Sequence, residues 1–171
     1  METLKPTPGK FAVNYGVVLG AIMIIISGAM YATDMALEGV QWPMYIYYLI
    51  FPTVIIIGIS AFKKQNSGIL SLGQAMKTGL AIAVISAIVY GFYIIIFNYL
   101  IDPAYNEKIL QVTEDTLLSN PDIPKDIVVQ QMDWARKLSN PILGSVFWIA
   151  ISMFFGAIYS LISGLIMKNE E

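Results

Sequence analysis

The charged residues of this chain are spaced so that four long stretches contain none. Lys10 and Asp34 bracket 23 uncharged residues, Glu38 and Lys63 bracket 24, Lys77 and Asp102 bracket 24, and Lys137 and Lys168 bracket 30. A bilayer core about 30 Å thick is crossed by roughly 20 apolar residues of helix rising 1.5 Å each, so every stretch is long enough to span. In lipid the backbone must bond to itself, which leaves helices or a closed barrel. Barrel strands alternate apolar and polar residues, whereas Ile22-Met23-Ile24-Ile25-Ile26 and Ile55-Ile56-Ile57 do not. The pattern predicts an all-α, polytopic membrane protein: a four-transmembrane-helix bundle in a single membrane domain, residues 1–171. The spans fall at about 11–33, 43–62, 75–101 and 142–167.

Composition agrees. The chain is 57% hydrophobic and 13% charged, against about 45–50% and about 25% for soluble domains, and four such blocks leave too little polar surface to cover them in water. Lys5 and Lys10 ahead of the first block suggest a signal peptide, but its apolar run exceeds the usual length and no small-residue cleavage site follows, so it is read as a retained anchor. With no His and no Cys, the chain has no imidazole base, thiolate nucleophile, disulfide, or zinc site built on those residues. A net charge of −2 excludes a generally basic nucleic-acid binder.

Lysine and arginine placement orients the spans. Lys5, Lys10, Lys63, Lys64, Lys77 and Lys168 fall on one side, while the 33–41 loop holds Asp34 and Glu38 and no base. Segment 102–140 carries seven acids and four bases. The positive-inside rule therefore puts both termini and the 63–77 loop in the cytoplasm and 102–140 outside, with Arg136 and Lys137 as the dissenting charges. Trp42, Tyr45, Tyr47 and Tyr48, with Tyr99 and Tyr105, mark the outer interface.

No ionisable residue lies within a span, which disfavours proton pumping and intramembrane aspartyl or serine proteolysis. Small residues are ordered instead. Gly79, Ala83, Ala87 and Gly91 recur every fourth residue in span three, Ser152, Gly156, Ser160 and Gly164 in span four, and Gly16 and Gly20 in span one. Residues four apart share a helix face, and missing bulk lets backbones approach. These ladders are the helix-packing candidates, joining spans within one chain or between two copies. Pro52 interrupts span two. Lys63, Lys64 and Lys77 flank the cytoplasmic loop as anchors for lipid headgroups. Ser71 and Gln74 have capping-box spacing ahead of span three.

The 102–140 segment has a helical code of its own and is read as an outer amphipathic helical insertion between spans three and four. Asp102 and Pro103 open a first helix, Asn120–Pro124 breaks it, and Pro124 opens a second with Val128, Met132 and Ala135 on its apolar side. Its acids have no calcium-loop spacing.

The stretch Leu70-Ser71-Leu72-Gly73-Gln74-Ala75-Met76-Lys77-Thr78-Gly79, followed by Asn98-Tyr99-Leu100-Ile101-Asp102-Pro103, resembles a family of small four-span bacterial membrane proteins defined as a domain of unknown function. The resemblance implies the four-helix membrane fold and a bacterial inner-membrane setting, and no activity, substrate or catalytic residue. The sequence expectation is a non-enzymatic membrane component without cofactor. It is surrounded by membrane lipids and packs with itself or another membrane protein, not with nucleic acid. The alternative is a small transporter or channel subunit for a neutral or lipid-like solute, motivated by Pro52 and a loose parallel between the hairpins beginning at Lys10 and Lys77.

Overall fold

The computed structural model describes residues 7–169; Lys5, counted above in the basic N-terminal tail, lies outside them. Among the described residues there are six α-helices and no strand. They are α1 (Pro8–Ala32), α2 (Trp42–Gln65), α3 (Leu72–Ile96), α4 (Tyr105–Ser119), α5 (Lys125–Leu138) and α6 (Pro141–Met167), and α3 runs on into a π-helical turn, Phe97–Ile101. Helices α1, α2, α3 with its π turn, and α6 are long and apolar enough to cross a membrane.

The ends of these helices follow from local chemistry. The capping box at α3 has both its bonds: Gln74 N–H donates to Ser71 Oγ at 3.2 Å, and Ser71 N–H donates to Gln74 Oε1 at 3.0 Å. Asn140 caps α6 by accepting from the Ile142 and Leu143 amides at 3.1 Å each, with Pro141 placed where no amide is needed. Pro103 forces the residue before it out of helical geometry, so Asp102 turns extended (φ −142°, ψ 87°) and stops α3. The sequence reading placed Pro103 at the first position of the next helix; α4 instead begins at Tyr105. Asp102 makes a tight turn first, its carboxylate accepting from Ala104 N–H at 3.2 Å and its carbonyl from Tyr105 N–H at 3.2 Å.

Helix α3 is the axis of the bundle, with α1 on one side and α6 on another. The contact faces are the small-residue ladders. A Cβ added at Gly16 would lie 2.7 Å from Ile85 Cβ, and one at Gly20 would lie 2.8 Å from Val89 Cβ, so the bulky row of α3 fills the notch in α1. On the α6 side, small meets small. Gly79 sits against Ser160, Gly156 against Ala83, Gly164 against Ala75 and the tip of Leu72, and Gly91 against Ser145. Ser160 and Ser163 turn their hydroxyls back on their own helix, to Gly156 O and to Tyr159 O (2.6 Å). Ser145 reaches both Pro141 O at 2.6 Å and Gly91 O across the seam at 3.3 Å.

Large apolar side chains point outward elsewhere: Leu49, Phe92, Leu100 and Ile166 are more than 60% exposed. A water-soluble domain does not tolerate such a girdle, and a lipid-facing one requires it.

The seam geometry sets the expected response to added bulk. Gly156→Ala forces α6 off α3 and should destabilise by about 1–3 kcal/mol, the usual cost of overpacking. Gly28→Ala, where nothing lies within 4 Å of the added carbon, should leave the detergent-solubilised melting temperature nearly unchanged. Equal melting temperatures for the two variants would contradict the seam.

Candidate functional site

Helices α4 and α5 fold into a hairpin with a small core of its own, Leu110, Val128 and Met132, supported by Leu117, Ile123 and Ala135. Arg136 of α5 ties the hairpin by reaching Glu114 at 2.7 Å and Glu107 at 3.4 Å. All three side chains are well exposed, so each pair contributes on the order of 0.2–1 kcal/mol or less. Lys137 lies 5.0 Å above the Trp134 ring. The two basic residues that dissented from the charge asymmetry are thus engaged within the hairpin.

The hairpin is held to the bundle by aromatic rings at the ends of α1 and α3. Tyr31, Phe97 and Tyr105 pack mutually edge-to-face, with centroids 4.9, 5.0 and 5.5 Å apart, a geometry worth about 0.5–1.5 kcal/mol per pair beyond burial. The π-helical turn carries Phe97 into this cluster. Such turns insert an extra residue and re-aim a side chain, here closed by Asp102 N–H donating to Phe97 O at 3.0 Å. Tyr31 Oη donates to Asp102 Oδ2 at 3.4 Å, Lys108 reaches the same oxygen at 3.5 Å, and Asn106 Nδ2 donates to Ser139 O at 2.9 Å.

Between the hairpin and the ends of α1, α3 and α6 lies a cleft of about 480 Å³, within the range of small-molecule sites. Its floor is Met23, Ser27 and Tyr90, its wall Tyr93 and Trp148, and its roof includes Leu110 and Leu138. The Ser27 and Tyr90 hydroxyls share a hydrogen bond at 2.8 Å. The lining is apolar and aromatic with a few hydroxyl and amide groups, and Asp102 stands beside it through Tyr31. Among the described residues no group of three His, Cys, Asp or Glu is placed to hold a metal. The chemistry on offer is neutral hydrogen bonding and ring stacking.

The residues singled out from sequence fall elsewhere. Lys63 donates to Met167 O at 2.8 Å, closing the last turn of α6 instead of pointing outward. Lys64 and Lys77 are exposed. Gly16, Gly20, Gly79, Ala83, Ala87, Gly91, Gly156, Ser160 and Gly164 are buried in helix contacts, as is Ser152, which also borders a second cavity between α2 and α6. None of these lines the cleft. Tyr105 and Ala135, an interface ring and a helix-face residue by sequence, do line it, but the site as a whole is not visible along the chain, because Ser27 and Tyr90 stand 63 positions apart and Tyr31 and Asp102 71 apart. The signal available was a set of tyrosines and a tryptophan placed well inside spans, where phenol and indole N–H groups need partners.

A bundle of four apolar membrane-length helices capped by a short helical hairpin is the build of a small multi-pass membrane protein. The chain belongs to the family described as "Protein of unknown function (DUF4199)", which matches residues 14–169. Comparison with curated proteins and with solved structures returns no match.

Burial first, and then the nearby carboxylate of Asp34, hold the Tyr105 phenol above its ordinary value of 10.0. A raised phenol pKa gives stability that is complete below the unfolded value and is lost as pH rises through the folded one. Titration above about pH 10 should therefore loosen the hairpin from the bundle. Tyr105→Phe, which keeps the ring, should delete that alkaline component from the near-ultraviolet circular dichroism, and an unchanged profile would contradict the assignment.

Proposed function

We propose that this protein is a non-enzymatic, multi-pass component of the bacterial inner membrane that holds a small, uncharged amphiphile in the cleft beneath its α4–α5 hairpin. Both termini face the cytoplasm and the hairpin faces outward. The observation carrying this reading is the roofed cleft itself, a 480 Å³ space with an apolar lining and a hydroxyl pair at its floor. An interior without a fixed charge favours an uncharged occupant, because an unpaired ion there forfeits its hydration. A few polar groups at defined points then set the orientation of an otherwise apolar molecule.

The orientation is supported by the lysines at the opposite end, where Lys63, Lys64 and Lys77 gather. The ladders that could have joined two copies are occupied between α1, α3 and α6, which shifts the weight of the reading from self-association to ligand binding. Lipids cover the remaining outer faces, and any partner membrane protein docks there.

The chain contains no cysteine, so single introduced thiols report cleanly. On intact cells an impermeant maleimide should label Asn106→Cys and Ser27→Cys, and label Lys64→Cys only after permeabilisation. The opposite sidedness would overturn the orientation, and a silent Ser27→Cys beside a labelled Asn106→Cys would overturn the open cleft. In native mass spectrometry the intact protein should carry a small neutral adduct that Ser27→Trp, by filling the floor, abolishes. A bare wild-type protein would overturn the binding role.

A further inference from the structure

The cavity between α2 and α6, of about 350 Å³, continues the cleft along one helix. On α6, Pro141, Gly144 and Phe147 line the cleft, Ile151, Phe155 and Tyr159 line the cavity, and Trp148 lines both. Steps of three and four residues keep them on one face, so the two spaces lie end to end on α6 with the Trp148 indole at their junction. Rings hold that indole from both sides. Tyr90 of the cleft meets it edge-on with centroids 5.6 Å apart, and Tyr47 of the cavity meets it at a tilt, 5.9 Å away. Both spaces also open sideways, since Phe147 on the cleft and Phe155 and Tyr48 on the cavity are exposed.

The two spaces differ in polarity as the two parts of an amphiphile do. The cleft offers the Ser27–Tyr90 hydroxyl pair and the amides of Asn98 and Asn106, while the cavity is walled by Ile151, Ser152 and aromatic rings. None of the described residues lining either space is charged, so a phosphate headgroup would lose its hydration there without gaining a partner.

Their junction falls at the level where head and chain meet. Tyr47 and Tyr48 belong by sequence to the aromatic belt at the outer interface, and Tyr47 touches Trp148. The cleft therefore lies on the headgroup side of the belt, and the cavity runs from the belt into hydrocarbon. From Trp148 to Tyr159 is eleven residues of α6, about 16 Å at 1.5 Å per residue, the depth of one leaflet of a core about 30 Å thick. Resting on the cleft reading above, we propose that cleft and cavity form one bipartite site for an uncharged single-chain lipid. Its hydroxyl-bearing head sits beneath the hairpin, and its hydrocarbon chain lies along α6 between Trp148 and Tyr159.

The test uses the full chain in phosphatidylcholine nanodiscs and a monoacylglycerol whose chain carries a diazirine near its end. Illumination and peptide mapping should place the label between Ile151 and Tyr159, with a yield that saturates. Ile151→Trp, which fills the cavity, and Ser27→Trp, which fills the cleft floor, should each lower the saturable yield roughly tenfold. Ser27→Ala keeps the space and removes one hydroxyl; it should lower the yield by a smaller factor, which guards against misfolding of the tryptophan variants. A diazirine alkane without the glycerol head should label without saturating. Loss of label in Ser27→Trp with full labelling in Ile151→Trp would overturn the bipartite site and leave the cleft reading standing, as would no saturable label on a protein that still carries its neutral adduct. Full labelling in both Ser27 variants would overturn the site by detaching cavity from cleft. Saturable labelling by the headless alkane would overturn it by assigning the cavity to bulk lipid chains.

Discussion

Close approach of backbones along α3 is the constraint from which the rest of this structure follows. In hydrocarbon, lipid tails compete with apolar side chains on equal terms, so burial alone does not drive helices together. What remains is dispersion between surfaces that fit, together with hydrogen bonds that lipid cannot offer. The α3–α6 seam supplies both. Gly156 faces Ala83 and Gly79 faces Ser160 with almost no intervening bulk, and Ser145 crosses to Gly91 O. The α1–α3 seam uses a different device, a two-glycine notch filled by Ile85 and Val89. With α3 held on two faces by contacts this short, α2 is the helix left to pack more loosely, and the two cavities open beside it and above it.

The parts legible in the sequence were those that a single helix encodes by itself. Charge-free length marked the apolar helices, because an unpaired ion in hydrocarbon is costly wherever the helix sits. Four-residue spacing marked the ladders, because face membership is a property of one helix, and Ser71 with Gln74 marked a cap whose two bonds both close within four residues. What each ladder meets was not legible. Nothing in Gly16-x-x-x-Gly20 says that its partner is a row of β-branched residues and not another glycine row. The start of α4 was misplaced for a related reason. Asp102 and Pro103 have the composition of a cap, but Asp102 spends its carboxylate and carbonyl on the amides of Ala104 and Tyr105 in a tight turn, and the helix begins only after it.

The cavities were least legible, since each is walled by residues scattered across the chain. Ser152 shows how local pattern misleads. Its spacing with Gly156, Ser160 and Gly164 places it in a packing ladder, and it is buried as a ladder residue would be. It nevertheless also borders the cavity between α2 and α6, which exists only through the placement of α2. Lys63 misleads in the other direction. It has the composition and position of a headgroup anchor, and its ammonium closes α6 because Met167 ends beside it.

The two ends of the bundle are held by different kinds of contact, and this decides which of them shifts more easily. At the lysine end, hydrogen bonds fix the backbone directly. Lys63 holds Met167 O, Asn169 donates from its side chain to Gly68 O at 2.7 Å, and Leu70 and Asn169 exchange bonds in both directions. Opening that end exchanges these bonds, of which those of Lys63 and Leu70 are part-buried, for bonds to water, at about 0.5–1.5 kcal/mol each. At the hairpin end the attachment is a set of ring contacts and a few long or exposed polar pairs, which slide and re-form without stranding a backbone donor. Local opening is cheapest where few buried apolar contacts and many exposed polar ones hold an element. The α4–α5 hairpin, which keeps its own small core and so can shift as a unit, meets that description. The roof of the cleft is therefore the part of the bundle that shifts at least cost, over a fixed base, and Trp148 lines both the cleft and the cavity between α2 and α6.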